Sequence, residues 1–458
     1  MPLARHRIPE KAFFALAAGS GGADAVAHLQ AAQYSKRLLL LRGVRDTAVA
    51  AGHSQADRAR QAYDLLAEVQ QSAPEAAGIA LRYPTVGAWA RRTLLALTGG
   101  EEGPAEPGEL AALAAAAAIR ARHVCTVEVP VRDGAVVLPS LGRALVPGQA
   151  TALVRSGAGG AEVTAGDTRV RLPADPHEDA AGWEGLRRLS AEFRGARIDF
   201  LLDDHDPDRM PGGSVIGCRL TAAELEHWRS TLLDAWRILV TRHWTAAEEV
   251  AASISVLTPL MAPAHGQSSA TPKHAFGNVG LSRPPDAHFL AVTLAHEVQH
   301  TKLTGLLDVV PLTRSDDGSR YYAPWRDDPR PVAGLLQGTY AHLGIAGFWR
   351  RQRQHESGER ALSAHSDFAR WRDAVDFAVR TLSASGRLTP EGGLFVAEMS
   401  RTLQPWMREP VGAEARRLAD EAAEAHLAQW RLRHGEPPPI QAVPHRPQMG
   451  GGSKSQSR

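Results

Sequence analysis

Residues 286–300 read Asp286-Ala287-His288-Phe289-Leu290-Ala291-Val292-Thr293-Leu294-Ala295-His296-Glu297-Val298-Gln299-His300. Asp286, after Pro284-Pro285, is a helix N-cap, because a side-chain oxygen there accepts the first unpaired backbone N–H groups. The apolar residues that follow carry a helix into His296-Glu297-Val298-Gln299-His300. Histidines four apart lie one turn apart on one face. His296 and His300 can therefore place both imidazoles on one metal ion, with Glu297 beside them projecting toward an open coordination position. A surface helix carrying two histidines and a glutamate by chance has the same five letters, and the apolar lead-in argues against it.

A catalytic metal usually takes three protein ligands, so the third decides the chemistry. The extended metzincin pattern requires Gly at 303 and His at 306, where this chain has Leu303 and Leu306. A thermolysin-like site draws a glutamate from a later helix, yet none occurs between Glu297 and Glu356, and Glu356 reads as an exposed helix end. There remain His342, within Gly338-Thr339-Tyr340-Ala341-His342-Leu343-Gly344, and the aspartates Asp308, Asp316, Asp317, Asp327 and Asp328. His342 is favoured, because Ala341, Gly344, Ala346 and Gly347 let its helix come close to the metal helix. An aspartate in its place would give two histidines and one carboxylate, an arrangement suited to non-haem iron(II). Between the two helices, Tyr321-Tyr322-Ala323-Pro324-Trp325-Arg326-Asp327-Asp328-Pro329-Arg330-Pro331 reads as a proline-stiffened loop whose Arg326 and Arg330 can fork onto a small carboxylate. An ordinary Arg–Asp surface loop would have the same letters.

The periodicities divide the rest of the chain. Helical spacing predicts a helical region over 1–98, a Gly/Pro/Glu linker follows, and alternation with Asp-Gly and Gly-Gly turns predicts a small β-rich region over 109–215. The metal-binding catalytic region spans 216–350, C-terminal helices 351–435, and a disordered Pro- and Gly-rich tail 436–458. The fold expected is α+β and mainly helical, with a zincin-like metal helix packed beside a small antiparallel sheet. The turn Asp203-Asp204-His205-Asp206-Pro207-Asp208 lacks the glycine and terminal glutamate of a calcium loop, so a solvated, self-capping loop is favoured over a cation site.

With 52 basic and 50 acidic side chains the net charge is +2, which gives no footprint for nucleic acid or for a membrane surface. Cys125 and Cys218 form neither a Cys-x-x-Cys pair nor a disulfide framework, so a reducing cytoplasm is expected. The apolar run Ala12–Ala18 is too short, and follows Glu10 too closely, for a signal peptide. No stretch reaches the roughly 18 apolar residues of a spanning helix.

Taken together, Leu294-Ala295-His296-Glu297-Val298-Gln299-His300, the loop Ala323–Pro331 and Gly334-Leu335-Leu336-Gln337-Gly338-Thr339-Tyr340-Ala341-His342 resemble the actinobacterial HExxH-motif peptide modification proteins. Phe200-Leu201-Leu202-Asp203-Asp204-His205-Asp206-Pro207 is similar more weakly. The resemblance implies iron(II)- and 2-oxoglutarate-dependent β-hydroxylation of a ribosomally synthesised precursor peptide, often alongside a radical-SAM maturase acting on the same peptide. His296, His300 and His342 would hold the iron, Arg326 or Arg330 would pair with the far carboxylate of 2-oxoglutarate, and Glu297 would orient the ligands. In some relatives histidine stands at the position of Gln337. The alternatives are a zinc-dependent metallopeptidase with a non-classical third ligand, in which Glu297 deprotonates a zinc-bound water, and a non-enzymatic peptide-binding scaffold.

Overall fold

The computed structural model describes residues 5–100, 103–264 and 266–437, so all but the first two residues of the expected tail lie outside the described residues. Five helices come first: α1 (Glu10–Ala17), α2 (Gly22–Ala50), α3 (Ala56–Ser72), α4 (Pro74–Leu81) and α5 (Pro84–Leu97). The alanine-rich α6 (Leu110–Ala121) is buried from Leu110 to Ala118, because methyl-sized side chains let neighbours approach from several sides.

Short strands follow: β1 (Cys125–Pro130), β2 (Ala135–Leu138), β3 (Gly142–Leu145), β4 (Thr151–Gly157), β5 (Gly160–Ala165), β6 (Thr168–Arg171) and β7 (Trp183–Gly185). They form two antiparallel sheets, ordered β1-β4-β5-β6 and β2-β3-β7. Next come β8 (Arg187–Phe193) and β9 (Ala196–Leu202), a hairpin closed by Arg194-Gly195. Both turn residues have positive φ, 51° and 79°, the backbone that matches the twist of a two-residue hairpin.

The remaining elements surround the metal helix. They are α7 (Ala222–Arg242), α8 (Trp244–Ser253), β10 (Val256–Leu260), β11 (Ser269–Ala270), β12 (Asn278–Ser282), α9 (Ala287–Leu307), α10 (Val332–Gln352), α11 (Gly358–Ala384), α12 (Pro390–Met407) and α13 (Ala413–His434). The sheet beside α9 runs β11-β12-β10-β9-β8 and differs from the purely antiparallel one expected. β10 is parallel to both β9 and β12, while β8 and β11 are antiparallel edges. The helical crossover through α7 and α8 makes β10 parallel to β9, and every residue of β10 and β12 is buried.

Three cores hold the molecule together, and they cut across the divisions read from the sequence. α2 to α6 enclose the two small sheets. Strands β8 and β9, placed with the β-rich region by sequence, instead share a core with α7, α8, β10, β12 and the first half of α9. α1 and Leu29 of α2 pack with the second half of α9 and with α10, α11 and α12. α9 therefore passes through two cores and has little polar face to spare. Lys302, fully buried within it, is held by Glu249 of α8 at 2.7 Å.

Candidate metal centre

Asp286 caps α9 by accepting the Phe289 N–H at 2.9 Å. Leu290, Leu294 and Val298 point into the sheet core and Leu303 and Leu306 into the helical core, which leaves the stripe bearing His296 and His300 to face α10. Gly344 makes that approach possible: a Cβ there would stand 2.7 Å from the Gln299 side chain and 3.1 Å from the Ala295 carbonyl.

The approach brings His342 to the metal helix. The ring centres of His296 and His300 are 4.7 Å apart and those of His296 and His342 are 5.4 Å apart, each pair edge to face. Imidazoles sharing one ion through bonds of about 2.1 Å have centres about 5 Å apart, and these two spacings are of that order. Among the described residues, no group of three or more His, Cys, Asp or Glu side chains is placed so that it could hold a metal ion as it stands.

Each of the three rings has its Nδ1 engaged. His296 Nδ1 meets Glu297 Oε1 at 3.1 Å, His300 Nδ1 meets Gln337 Oε1 at 3.2 Å, and His342 Nδ1 meets the Gly338 carbonyl at 2.8 Å. An acceptor at Nδ1 fixes the proton there and leaves the Nε2 lone pair for a metal, as outer partners do for histidine ligands. Burial, reinforced by the neighbouring rings, also lowers the pKa of His300, and that of His342 well below the usual imidazole value. Neutral imidazole is the form that binds a metal.

Glu297 does not project toward an open coordination position, as the helix spacing alone leads one to expect. Its carboxylate is fully buried and accepts from Ser269 Oγ at 2.6 Å and Thr271 Oγ1 at 2.7 Å, as well as from His296. It thus lies on the Nδ1 side of the His296 ring, opposite the atom available to a metal. Burial alone would raise its pKa, but the His296 hydrogen bond, the nearby imidazoles and the Ser269 hydroxyl bring it down to about 2.

The loop before α10 delivers an aromatic wall. The Trp325 indole stacks on His342 at 4.3 Å and 15°, lying over Gly338, where a Cβ would stand 2.2 Å from its Nε1. The Trp371 ring of α11 stands 4.9 Å from the His342 ring, tilted by 50°. Arg326 and Arg330, the expected carboxylate clamp, both pair with Asp328 at 2.9 Å, and the loop is closed by a bridge between Tyr321 and Arg330.

The other candidate ligands are engaged elsewhere. Asp308 pairs with Lys36, Asp316 with Arg320, Asp317 with Arg387 and Asp327 with Arg433. Glu356, rather than standing exposed, is held by Arg242 and His288. The acidic turn at 203–208 is self-capping as expected but buried rather than solvated. Asp203 accepts the N–H groups of His205 and Asp206 and the Tyr83 hydroxyl, Asp206 accepts the Asp208 N–H and the Thr85 hydroxyl, and Asp204 pairs with Arg187.

Sequence reasoning missed Ser269, Thr271 and Trp371. Gln337 stands out in the sequence only as the position where some relatives have histidine, and the structure places its side chain on the His300 ring. The hydroxyls come from β11 and the residue that follows it, which no spacing rule connects to α9. No protein-family model and no curated protein matches the chain.

Proposed function

We propose that this chain is an iron(II)- and 2-oxoglutarate-dependent oxygenase that β-hydroxylates residues of a ribosomally synthesised precursor peptide, a substrate it would share with a radical-SAM maturase. The observation that carries the reading is the locked Glu297 carboxylate. A hydrolase needs that group beside the metal-bound water, whereas here it accepts three hydrogen bonds on the far side of His296. Such a carboxylate orients a ligand and raises its basicity.

His296, His300 and His342 would hold the metal. When bound, iron(II) with 2-oxoglutarate supplies the oxidising power, one oxygen atom of dioxygen entering the peptide C–H bond and the other entering succinate as carbon dioxide leaves. The chain's own residues bind, orient and exclude water. Gln337 and the Gly338 carbonyl fix the His300 and His342 rings, and the Trp325 and Trp371 indoles keep water from the His342 side. Arg326 and Arg330 serve the far carboxylate only if Asp328 releases one of them.

The open edge of the mixed sheet supports a peptide substrate. Ser282 N–H bonds the Ser268 carbonyl at 2.9 Å, and alternation along the ladder then directs the Ser269 N–H and C=O outward, away from β12. An extended chain added there would run beside the strand that holds Glu297. A zinc metallopeptidase remains the second reading, favoured by the donor set itself, since three imidazoles suit zinc as well as iron.

Loading the protein anaerobically with iron(II) and adding 2-oxoglutarate tests the choice. A weak visible charge-transfer band, lost in His296→Ala, is the expected result; tight stoichiometric zinc with no band would favour the peptidase. Glu297→Gln is expected to retain partial hydroxylation and to weaken metal binding by about 10–100-fold, as loss of an outer partner does. A peptidase would lose nearly all turnover.

A further inference from the structure

A cavity of about 160 Å³ opens where α8, α9, α10, α12 and the turn between α1 and α2 meet. From α9 it is lined by Ala295 and Gln299, the stripe next to the one that bears His296 and His300. Aromatic rings supply part of the wall: the His243 imidazole stacks on Phe348 at 4.0 Å and 13°, and Trp406 comes from α12. Gly344 and Gly347 of α10 keep the space clear, since a Cβ at Gly347 would stand 3.2 Å from the Trp406 ring. Among the described residues the one acid in the lining is Glu249, and Lys302 neutralises it at 2.7 Å.

The rim of the cavity is basic. Arg350 and Arg351 line both the cavity and an adjoining hollow of about 410 Å³, which they share with Arg242, His355 and the exposed Trp244. Arg350 is paired with Glu409 and Arg242 with Glu356, while Arg351 makes no ion pair among the described residues. Burial, and then the charges of Arg351, Arg242 and His355, lower the pKa of His243 to about 4 against the hydrogen bond from Gln352, so the field of the rim reaches the cavity wall. An apolar cavity of about 150 Å³ takes one benzene ring. We propose that this cavity binds a small aromatic carboxylate, with its ring beside Phe348 and Trp406 and its carboxylate at Arg351. Both halves of the ligand are needed: a ring alone leaves the cation of the rim without a partner, and a simple anion leaves the apolar wall uncovered. A guanidinium with no competing acid gives such a carboxylate a charge-assisted, two-pronged contact. The site is separate from the imidazoles and does not depend on the oxygenase reading.

The test is direct binding by the full-length protein, read by calorimetry. Three probes are titrated: benzoate, benzamide, which has the ring without the charge, and acetate, which has the charge without the ring. Wild type is expected to bind benzoate about tenfold or more tighter than either of the others. Arg351→Gln, at an exposed position, brings benzoate down to the level of benzamide, while Arg320→Gln, an exposed arginine of the loop before α10, leaves the ratio within about twofold. Ala246→Leu, in the cavity lining, weakens benzoate and benzamide together. Should that variant fail to fold, the Arg351→Gln ratio still decides, because the comparison of two ligands on one protein cancels any general loss of fold. Equal binding of benzoate and benzamide by wild type, a preference that survives Arg351→Gln, or acetate bound as tightly as benzoate overturns the proposal. So does the absence of benzoate binding at millimolar concentration, which leaves the cavity to water, or an unchanged benzoate affinity in folded Ala246→Leu.

Discussion

Gly338 does two things at its position, and only the second requires glycine. Its carbonyl receives His342 Nδ1, and its missing side chain lets the Trp325 indole lie flat on α10. Gly338→Ala puts a methyl group where the indole ring is, so the stack on His342 must open. The expected result is a loss of about 1–3 kcal/mol in urea unfolding, typical of overpacking, with a change in tryptophan emission and weaker cobalt(II) binding. Unaltered metal affinity would mean that the stack does not position His342. Glu297 illustrates the same dependence on close neighbours. The glutamate of a His-Glu-x-x-His helix is read by habit as a base, but Ser269 and Thr271 turn this one into a support for the ring of His296.

Among the elements, α9 carries the greatest burden, because it crosses two cores and is pinned to α8 by a fully buried ion pair, Lys302 to Glu249. Burial lowers the pKa of Lys302 and the glutamate opposes that shift. Lys302→Met leaves the Glu249 charge without its cation in a dry environment, and the expected cost is about 3–5 kcal/mol in denaturant unfolding. Pairing it with Glu249→Leu removes both charges and is expected to restore most of the loss; a double variant as unstable as the single one would show that the pair is not what α9 depends on. The helix spacing identified α9 with its Asp286 cap, and α10, because periodicity and capping are local. It did not identify the parallel pairing of β10, which is set by a crossover through α7 and α8 rather than by the strand's own residues.

At the scale of the whole molecule, the buried turn at 203–208 joins the N-terminal helices to the mixed sheet through Tyr83, Thr85 and Arg92. His205 sits within it with neither ring nitrogen hydrogen-bonded and its Nε2 3.4 Å from Asp204 Oδ1. Burial, then the charge of Arg219, lowers its pKa to about 3, whereas burial and Asp203 raise that of Asp206 to about 7. The two act on stability with opposite signs. A histidine depressed below its unfolded value of about 6.5 costs stability as pH falls from there toward 3; a carboxyl raised above about 3.9 costs stability as pH rises toward 7. His205→Gln removes the first effect alone. Relative to wild type, the variant is therefore expected to gain stability as pH falls from about 6.5 to 4, by at most about 1.4 kcal/mol per pH unit. Parallel melting curves across that range would refute the assignment. Charge totals and hydropathy carry no trace of this turn's burial. Among the described residues, no helix is long and apolar enough to cross a membrane, in keeping with the apolar runs of the sequence. By itself the sequence determined the helices, the hairpin turns and the pair His296 and His300, because each rests on residues within a few positions of one another. Only the tertiary structure decided that His342 joins them, that Glu297 faces Ser269 and Thr271, and that Arg326 and Arg330 are spent on Asp328. These are contacts between elements, set by how Gly344 and Gly338 let side chains and helices approach, and spacing along a chain does not encode them.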